Sequence, residues 1–289
     1  MSAHAAPTKR LTLGDLAAKK QAGEPIVMVT AYDYPGAQIS EAAGVDMVLV
    51  GDSGAMTVLG YDSTVPITID EMLMLTRAVR RGLDRPLLVG DLPFGSYEAS
   101  DEIALATAQR FVKEAGVDLV KIERGGTTVD RARALVNAGI PVVGHVGLTP
   151  QTATALGGYR AQGRTAEAAL SVIDDALALQ AAGVSLLVVE AVPSEVTAAL
   201  MPLLEIPVIG IGAGADADGQ VLVFHDLLGI YAGGAAKFVK RYADLRTAAV
   251  DAIAAYADEV REGVYPGPEH GYRMPEGEAQ RLQELLDAR

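Results

Sequence analysis

The chain has 289 residues, half of them hydrophobic and 21% charged, enough apolar material for a large buried core, which excludes disorder as the main state. A formal net charge of −13 argues against nucleic-acid binding, since a polyanion is repelled unless a dense Lys/Arg run overrides the field, and none occurs. The absence of cysteine removes disulfides, thiolate nucleophiles and Cys-based zinc or iron–sulfur centres together, and fits a cytoplasmic setting.

The first ten residues carry no apolar stretch behind a basic cluster, so no secretory signal is expected. The longest segments without Asp, Glu, Lys or Arg, such as 134–159, are broken by Pro, Gly, His and Gln, so no membrane span is expected either. Short runs rich in β-branched residues or Leu then follow in chain order at 26–32, 47–51, 87–90, 119–122, 141–144, 186–189, 208–211 and 237–242. They read as strands of a sheet buried on both faces. Between them lie helical stretches. Ser100 caps an acid-rich helix start, Thr165 opens another with Leu170, Ile173 and Leu177 on one face, and Asp244 caps a helix running to Gly263.

One pattern recurs at Ala43-Gly44-Val45, Ala115-Gly116-Val117, Ala138-Gly139-Ile140 and Ala182-Gly183-Val184. Glycine just past a helix end can take the left-handed conformation, so the repeat reads as a helix-to-strand junction. Eight strands alternating with helices favour an α/β class fold, a (β/α)₈ TIM barrel, over the alternative of a doubly wound sheet. Residues 1–10 are expected to be a flexible N-terminus, 11–264 a single barrel domain, and 265–289 a C-terminal tail with a short polar helix from about Gly277.

Barrel active sites lie at the C-terminal ends of the strands. There the chain places Asp52 and Ser53 after the second run, Asp91 after the third, and Glu123 after the fourth with Lys121 two residues before it. His145 follows the fifth run and Glu190 the sixth. One such charge only marks where a strand meets solvent. Five in succession converge on one rim, and carboxylates crowded there repel one another unless a cation intervenes. Oxygen ligands without cysteine favour Mg²⁺. The glycine run 209–214 lacks the Lys-Ser/Thr of a phosphate-binding loop, so a tight turn is the safer reading. Of the other histidines, His4 sits in the terminal stretch, His225 with Asp226 suggests a local cap, and His270 either reaches a site or packs.

Thr30-Ala31-Tyr32-Asp33, Val50-Gly51-Asp52-Ser53, Asp91-Leu92-Pro93-Phe94 and Val120-Lys121-Ile122-Glu123 resemble stretches of the ketopantoate hydroxymethyltransferase family. So do the segment from Gly144 to Gln151, Gly157-Gly158-Tyr159-Arg160, Gly163-Arg164, the glycine run 210–214 and the segment 265–270, all in the family's order. The resemblance implies a barrel of the phosphoenolpyruvate/pyruvate group. It implies transfer of a hydroxymethyl group from 5,10-methylenetetrahydrofolate to 3-methyl-2-oxobutanoate through a Mg²⁺-stabilised enolate, giving 2-dehydropantoate for pantothenate biosynthesis. On it, Asp52 and Asp91 bind the metal directly and Glu123 through water, while Ser53 and Lys121 hold the keto-acid carboxylate. His145 lies beside the keto acid, and Glu190 is the base. Homo-oligomers, often decamers, are implied as well. The alternative is a Mg²⁺-dependent carbon–carbon lyase or mutase of the same barrel group, acting on another 2-keto acid. The chain departs from the family's usual pattern at Gly54-Ala55, at Arg124, and at Gly271.

Overall fold

In the computed structural model, residues 9–231, 234 and 236–289 are described; His4 lies outside them. The chain divides into two compact units, one ending at Tyr242 and the other spanning Ala243–Arg289. In chain order the first holds α1 (Leu13–Ala22), β1 (Ile26–Thr30), α2 (Tyr34–Ala42), β2 (Met47–Val50), α3 (Gly54–Thr57), α4 (Ile69–Arg80) and β3 (Leu87–Asp91). It continues with α5 (Asp101–Ala115), β4 (Leu119–Glu123), α6 (Thr128–Asn137), β5 (Val142–Gly147), α7 (Ala166–Ala181), β6 (Leu186–Glu190), α8 (Ser194–Leu200), β7 (Val208–Ile211), β8 (Gly219–Leu222) and α9 (Phe224–Leu227). The second unit holds α10 (Leu245–Glu262), capped by Asp244 and closed at Gly263 as expected, and α11 (Glu278–Asp287), directly after Gly277.

The eight strands form a closed parallel barrel in sequential order, with β8 returning to pair with β1. Helix starts are set locally. Thr12, Asp33, Thr68, Ser100 and Thr165 each accept the backbone N–H three residues on, satisfying a donor that the helix itself leaves open. At the four Ala-Gly junctions the glycine has φ between 68° and 93°, the left-handed value that turns each helix into the next strand.

Period-two alternation then sorts the side chains. Outward residues such as Val48, Val50, Val120, Ile122, Leu187 and Val189 join the layer beneath the helices. Inward residues Met28, Met47, Leu87, Leu119, Val143, Leu186 and Ile209 fill the barrel interior. Each fully buried Leu or Ile contributes about 1.5–3 kcal/mol relative to exposure. At the opposite end from the strand tips, Asp46, Asp118 and Asp218 stand just before β2, β4 and β8 and accept the backbone N–H of Val27, Leu88 and Val208 at 2.8–2.9 Å. Lys19, Arg10 with Arg80, and Lys20 neutralise them in turn. A repeated aspartate thus ties alternate strand pairs together.

Two sequence expectations are corrected. The eighth strand is Gly219–Leu222, not 237–242; the latter segment is turn and coil, with Tyr242 64% exposed. The closing strand must fit between two neighbours, and a Cβ on Gly219 would come within 2.2 Å of the Ile26 carbonyl oxygen. Its Gly and Gln mute the strand signal, whereas the apolar residues of 237–242 serve otherwise: Phe238 packs onto the barrel interior. On α7 the buried stripe is Val172, Ala176 and Leu179, while Leu170 is 57% exposed. The helical turn puts Leu170 nearly opposite that stripe.

Candidate active site

The alternation that fills the interior also builds the site. Leu87, Val89 and Asp91 share the inner face of β3; Leu119, Lys121 and Glu123 that of β4; Val143 and His145 that of β5; Leu186, Val188 and Glu190 that of β6. The lower layers are apolar and the top layer is ionisable. Asp91, Glu123 and Glu190 are the last residues of their strands, His145 lies within β5, and Asp52 with Ser53 follows β2. All seven anticipated residues line one cavity of about 580 Å³.

The floor is a buried charge network. Asp52, Asp91 and Glu123 each offer a carboxylate oxygen within 4.8 Å of the others. The Lys121 ammonium lies 2.8 Å from Asp91 Oδ1 and 3.0 Å from Glu123 Oε1. His145 spans two carboxylates, with Nδ1 3.1 Å from Glu123 Oε1 and Nε2 3.2 Å from Glu190 Oε2. The backbone N–H of Asp52 donates to Asp91 Oδ2, and the Ser53 and Tyr32 hydroxyls are 2.8 Å apart. Asp52 Oδ2 is buried and accepts no hydrogen bond among the described residues.

Burial raises Asp52 well above the usual carboxylate range, and the charges of Asp91 and Glu123 add to it. Asp91 is raised too, again by burial, with Lys121 opposing. Glu123 goes the other way, to about 2: burial would raise it, but Lys121 and His145 outweigh that. Burial and Lys121 push His145 down, yet the Glu123 carboxylate, with Glu190 close by, carries it up to about 9. Burial likewise opposes the charge on Lys121, and the three acids override it. An orphaned oxygen in a cluster with surplus negative charge fits a small hard cation with oxygen ligands.

Sequence reasoning assigned no role to Tyr97 or Gln151. The Tyr97 hydroxyl donates to Gln151 Oε1 at 2.7 Å and accepts from the Glu123 backbone N–H at 3.2 Å. The Gln151 backbone N–H donates to Glu123 Oε2, and its Nε2 to the Leu92 carbonyl. Glu123 is therefore held on both carboxylate oxygens and on its own backbone. Gln151 ends the 144–151 motif, a signal that was available; Tyr97 lies in a loop and had none. Arg124 and Ala191, directly after Glu123 and Glu190, take φ of 77° and 48°. Their N–H groups still reach the His145 and Ile211 carbonyls, so the ladder continues while the chain turns off the rim.

The other expectations separate. Gly212 and Gly214 take left-handed φ in a tight turn, where a Cβ would strike Phe238 and Ser194. His225 forms no cap: its Nδ1 lacks a partner among the described residues, and its ring packs on Tyr32 and Phe224. Within the second unit, His270 Nδ1 accepts the Gly267 N–H, and its ring lies 5.0 Å from that of Tyr265.

A parallel (β/α)₈ barrel with an acid cluster and a separate carboxylate on its C-terminal rim defines a class, the barrel enzymes whose rim could hold a metal ion. Solved structures share the fold. Phosphonopyruvate hydrolase aligns over 96% of this chain and 98% of its own at TM-score 0.58 and 12% identity. 2,3-Dimethylmalate lyase, a member of the PEP mutase/isocitrate lyase superfamily, aligns over 97% and 100% at TM-score 0.57 and 15% identity. Residues 10–268 match the ketopantoate hydroxymethyltransferase family, and the chain belongs to it. The 3-methyl-2-oxobutanoate hydroxymethyltransferase of Geobacillus kaustophilus is 53% identical, covering 90% of this chain and 93% of its own. That of Oleidesulfovibrio alaskensis is 51% identical over 98% of both chains. The Arabidopsis thaliana mitochondrial form is 51% identical over 91% of this chain and 78% of its own.

Proposed function

We propose that this protein transfers a hydroxymethyl group from 5,10-methylenetetrahydrofolate to 3-methyl-2-oxobutanoate, giving 2-dehydropantoate, as a cytoplasmic homo-oligomer. The observation that carries the reading is the acid cluster with the orphaned Asp52 oxygen, separated by His145 from Glu190 on the same rim. The names of relatives at about half identity support the substrate. Among the described residues no helix is long and apolar enough to cross a membrane.

Asp52, Asp91 and Glu123 would hold Mg²⁺, which when bound polarises the keto oxygen and eases loss of the C3 proton. Lys121 and Ser53 hold the keto-acid carboxylate, Lys121 as the positive charge an anion needs inside an acidic protein. Glu190 takes the proton from C3, and His145, with Nε2 3.2 Å from its Oε2, sets a positive charge beside that carboxylate. As the C3 carbanion bonds to the methylene carbon of the donor, one of that carbon's two bonds to nitrogen breaks. Water displaces the second nitrogen and supplies the hydroxyl group, and the proton taken by Glu190 and one from water end on the two nitrogens of the departing tetrahydrofolate. Excluding bulk water from this buried floor strengthens each of these charge interactions.

Proton NMR of 3-methyl-2-oxobutanoate in D₂O with enzyme and Mg²⁺ tests the proposal. Loss of the C3 signal should occur, and Glu190→Gln should stop it while leaving Mg²⁺ affinity nearly intact. No exchange with the unaltered enzyme, with or without tetrahydrofolate, would move the substrate to another 2-keto acid.

A further inference from the structure

The cavity is far larger than a small keto acid requires, and its upper wall has a different character from its floor. Above the acid cluster it is lined by Met56, Leu148, Pro150 and the rings of Tyr159, Tyr231 and Phe238. Two cations interrupt this apolar wall: Arg160, on the loop after β5, and Lys237, on the segment that follows α9.

 Both side chains are exposed, and neither forms an ion pair or a side-chain hydrogen bond among the described residues.

We propose that Arg160 and Lys237 bind the carboxylate tail of the one-carbon carrier, so that the enzyme favours carriers with several glutamyl units; this rests on the folate reading above. The reactive end of the carrier must reach the keto acid beside Glu190, which leaves its anionic tail to leave through the mouth. The whole protein repels such a tail, with a net charge of −13, so local cations have to offset that field. The Arg160 guanidinium presents a planar fork suited to a carboxylate, and the Lys237 ammonium a mobile point charge suited to a flexible chain. Asp226 also lines the cavity, but burial raises its pKa, and His225 and Arg241 are the cations that act on it. Tyr159, next to Arg160, lines the same cavity as Asp52, Glu123 and Glu190.

The test uses the full chain with Mg²⁺ and 5,10-methylenetetrahydrofolate bearing one, three or five glutamates. KM for the carrier should fall with tail length, and added KCl should raise it most for the longest tail. Arg160→Gln and Lys237→Gln should each raise KM for the triglutamyl form about tenfold, equivalent to about 1.4 kcal/mol, and flatten the length dependence. Arg160→Lys should restore part of it. Without carrier, C3 exchange in both variants should match the unaltered enzyme. A KM indifferent to tail length, or variants that keep the dependence, would overturn the proposal, as would a fall in carrier-free exchange. Absence of exchange in the unaltered enzyme would instead overturn the functional reading beneath it.

Discussion

Tyr97→Phe removes one oxygen atom from a fully packed position, the ring being 2% exposed. It leaves two buried polar groups without their partner: Gln151 Oε1, which accepts at 2.7 Å, and the Glu123 N–H, which donates at 3.2 Å. Gln151 cannot turn its amide to compensate, because Nε2 already donates to the Leu92 carbonyl. An orphaned buried group costs about 1–3 kcal/mol. Taking the lower part of that range for each, since water can enter the vacated space, gives a loss of about 2–4 kcal/mol. For a unit of this size that lowers Tm by roughly 4–16 °C. Urea unfolding and thermal melting of the metal-free protein would measure it, with Tyr61→Phe as the comparison. Tyr61 donates to a side-chain oxygen at the same distance, Glu71 Oε1 at 2.7 Å, but where water can replace the bond. If Tyr97→Phe were no more destabilising than Tyr61→Phe, the reasoning that Glu123 is clamped through Tyr97 would be refuted.

Asp91→Asn should weaken Mg²⁺ at least about tenfold by calorimetry, since changes in outer-shell partners alone commonly cost 10–100-fold; unchanged affinity would remove Asp91 from the ligand set. In chelator, His145 is raised to about 9, so its stabilisation is complete below about pH 6.5, the ordinary histidine value, and is lost as pH climbs to about 9. The loss is on the order of 3 kcal/mol in urea unfolding, and a flat profile across that window would count against the Glu123–His145–Glu190 chain. Glu123, held at about 2, acts at the other end: its contribution is present above the ordinary glutamate value and disappears as pH falls toward about 2. Gly219→Ala puts a Cβ 2.2 Å from the Ile26 carbonyl oxygen and 2.7 Å from Ile209 Cδ1, atoms of the barrel's closing seam. It should cost at least about 1–3 kcal/mol, and a neutral result would mean that the seam can open at no cost.

Most of the rim was legible in the chain because strand alternation is local. Once Leu87, Val89 and Asp91 are read as one strand, their shared face follows from backbone geometry, and the same holds for Leu119, Lys121 and Glu123. Helix closure at the four Ala-Gly junctions was legible for the same reason: left-handed φ is a property of one residue. The acid cluster needed only one further premise, that successive parallel strands lie side by side.

What the tertiary structure alone decided depends on groups distant in sequence. The closing strand β8 is defined by fitting between β7 and β1, a steric condition that its Gly219 meets and its composition does not advertise. Which face of α7 is buried depended on where the barrel lies, and Leu170 falls on the other side. Tyr97 meets Gln151 across 54 residues and Glu123 across 26, contacts that no local pattern encodes. The charge states of the floor follow the same rule. Whether a carboxyl ends near 2 or far above its usual range is set by burial and by which cation folding brings beside it, and Glu123 and Asp52 fall on opposite sides of that division.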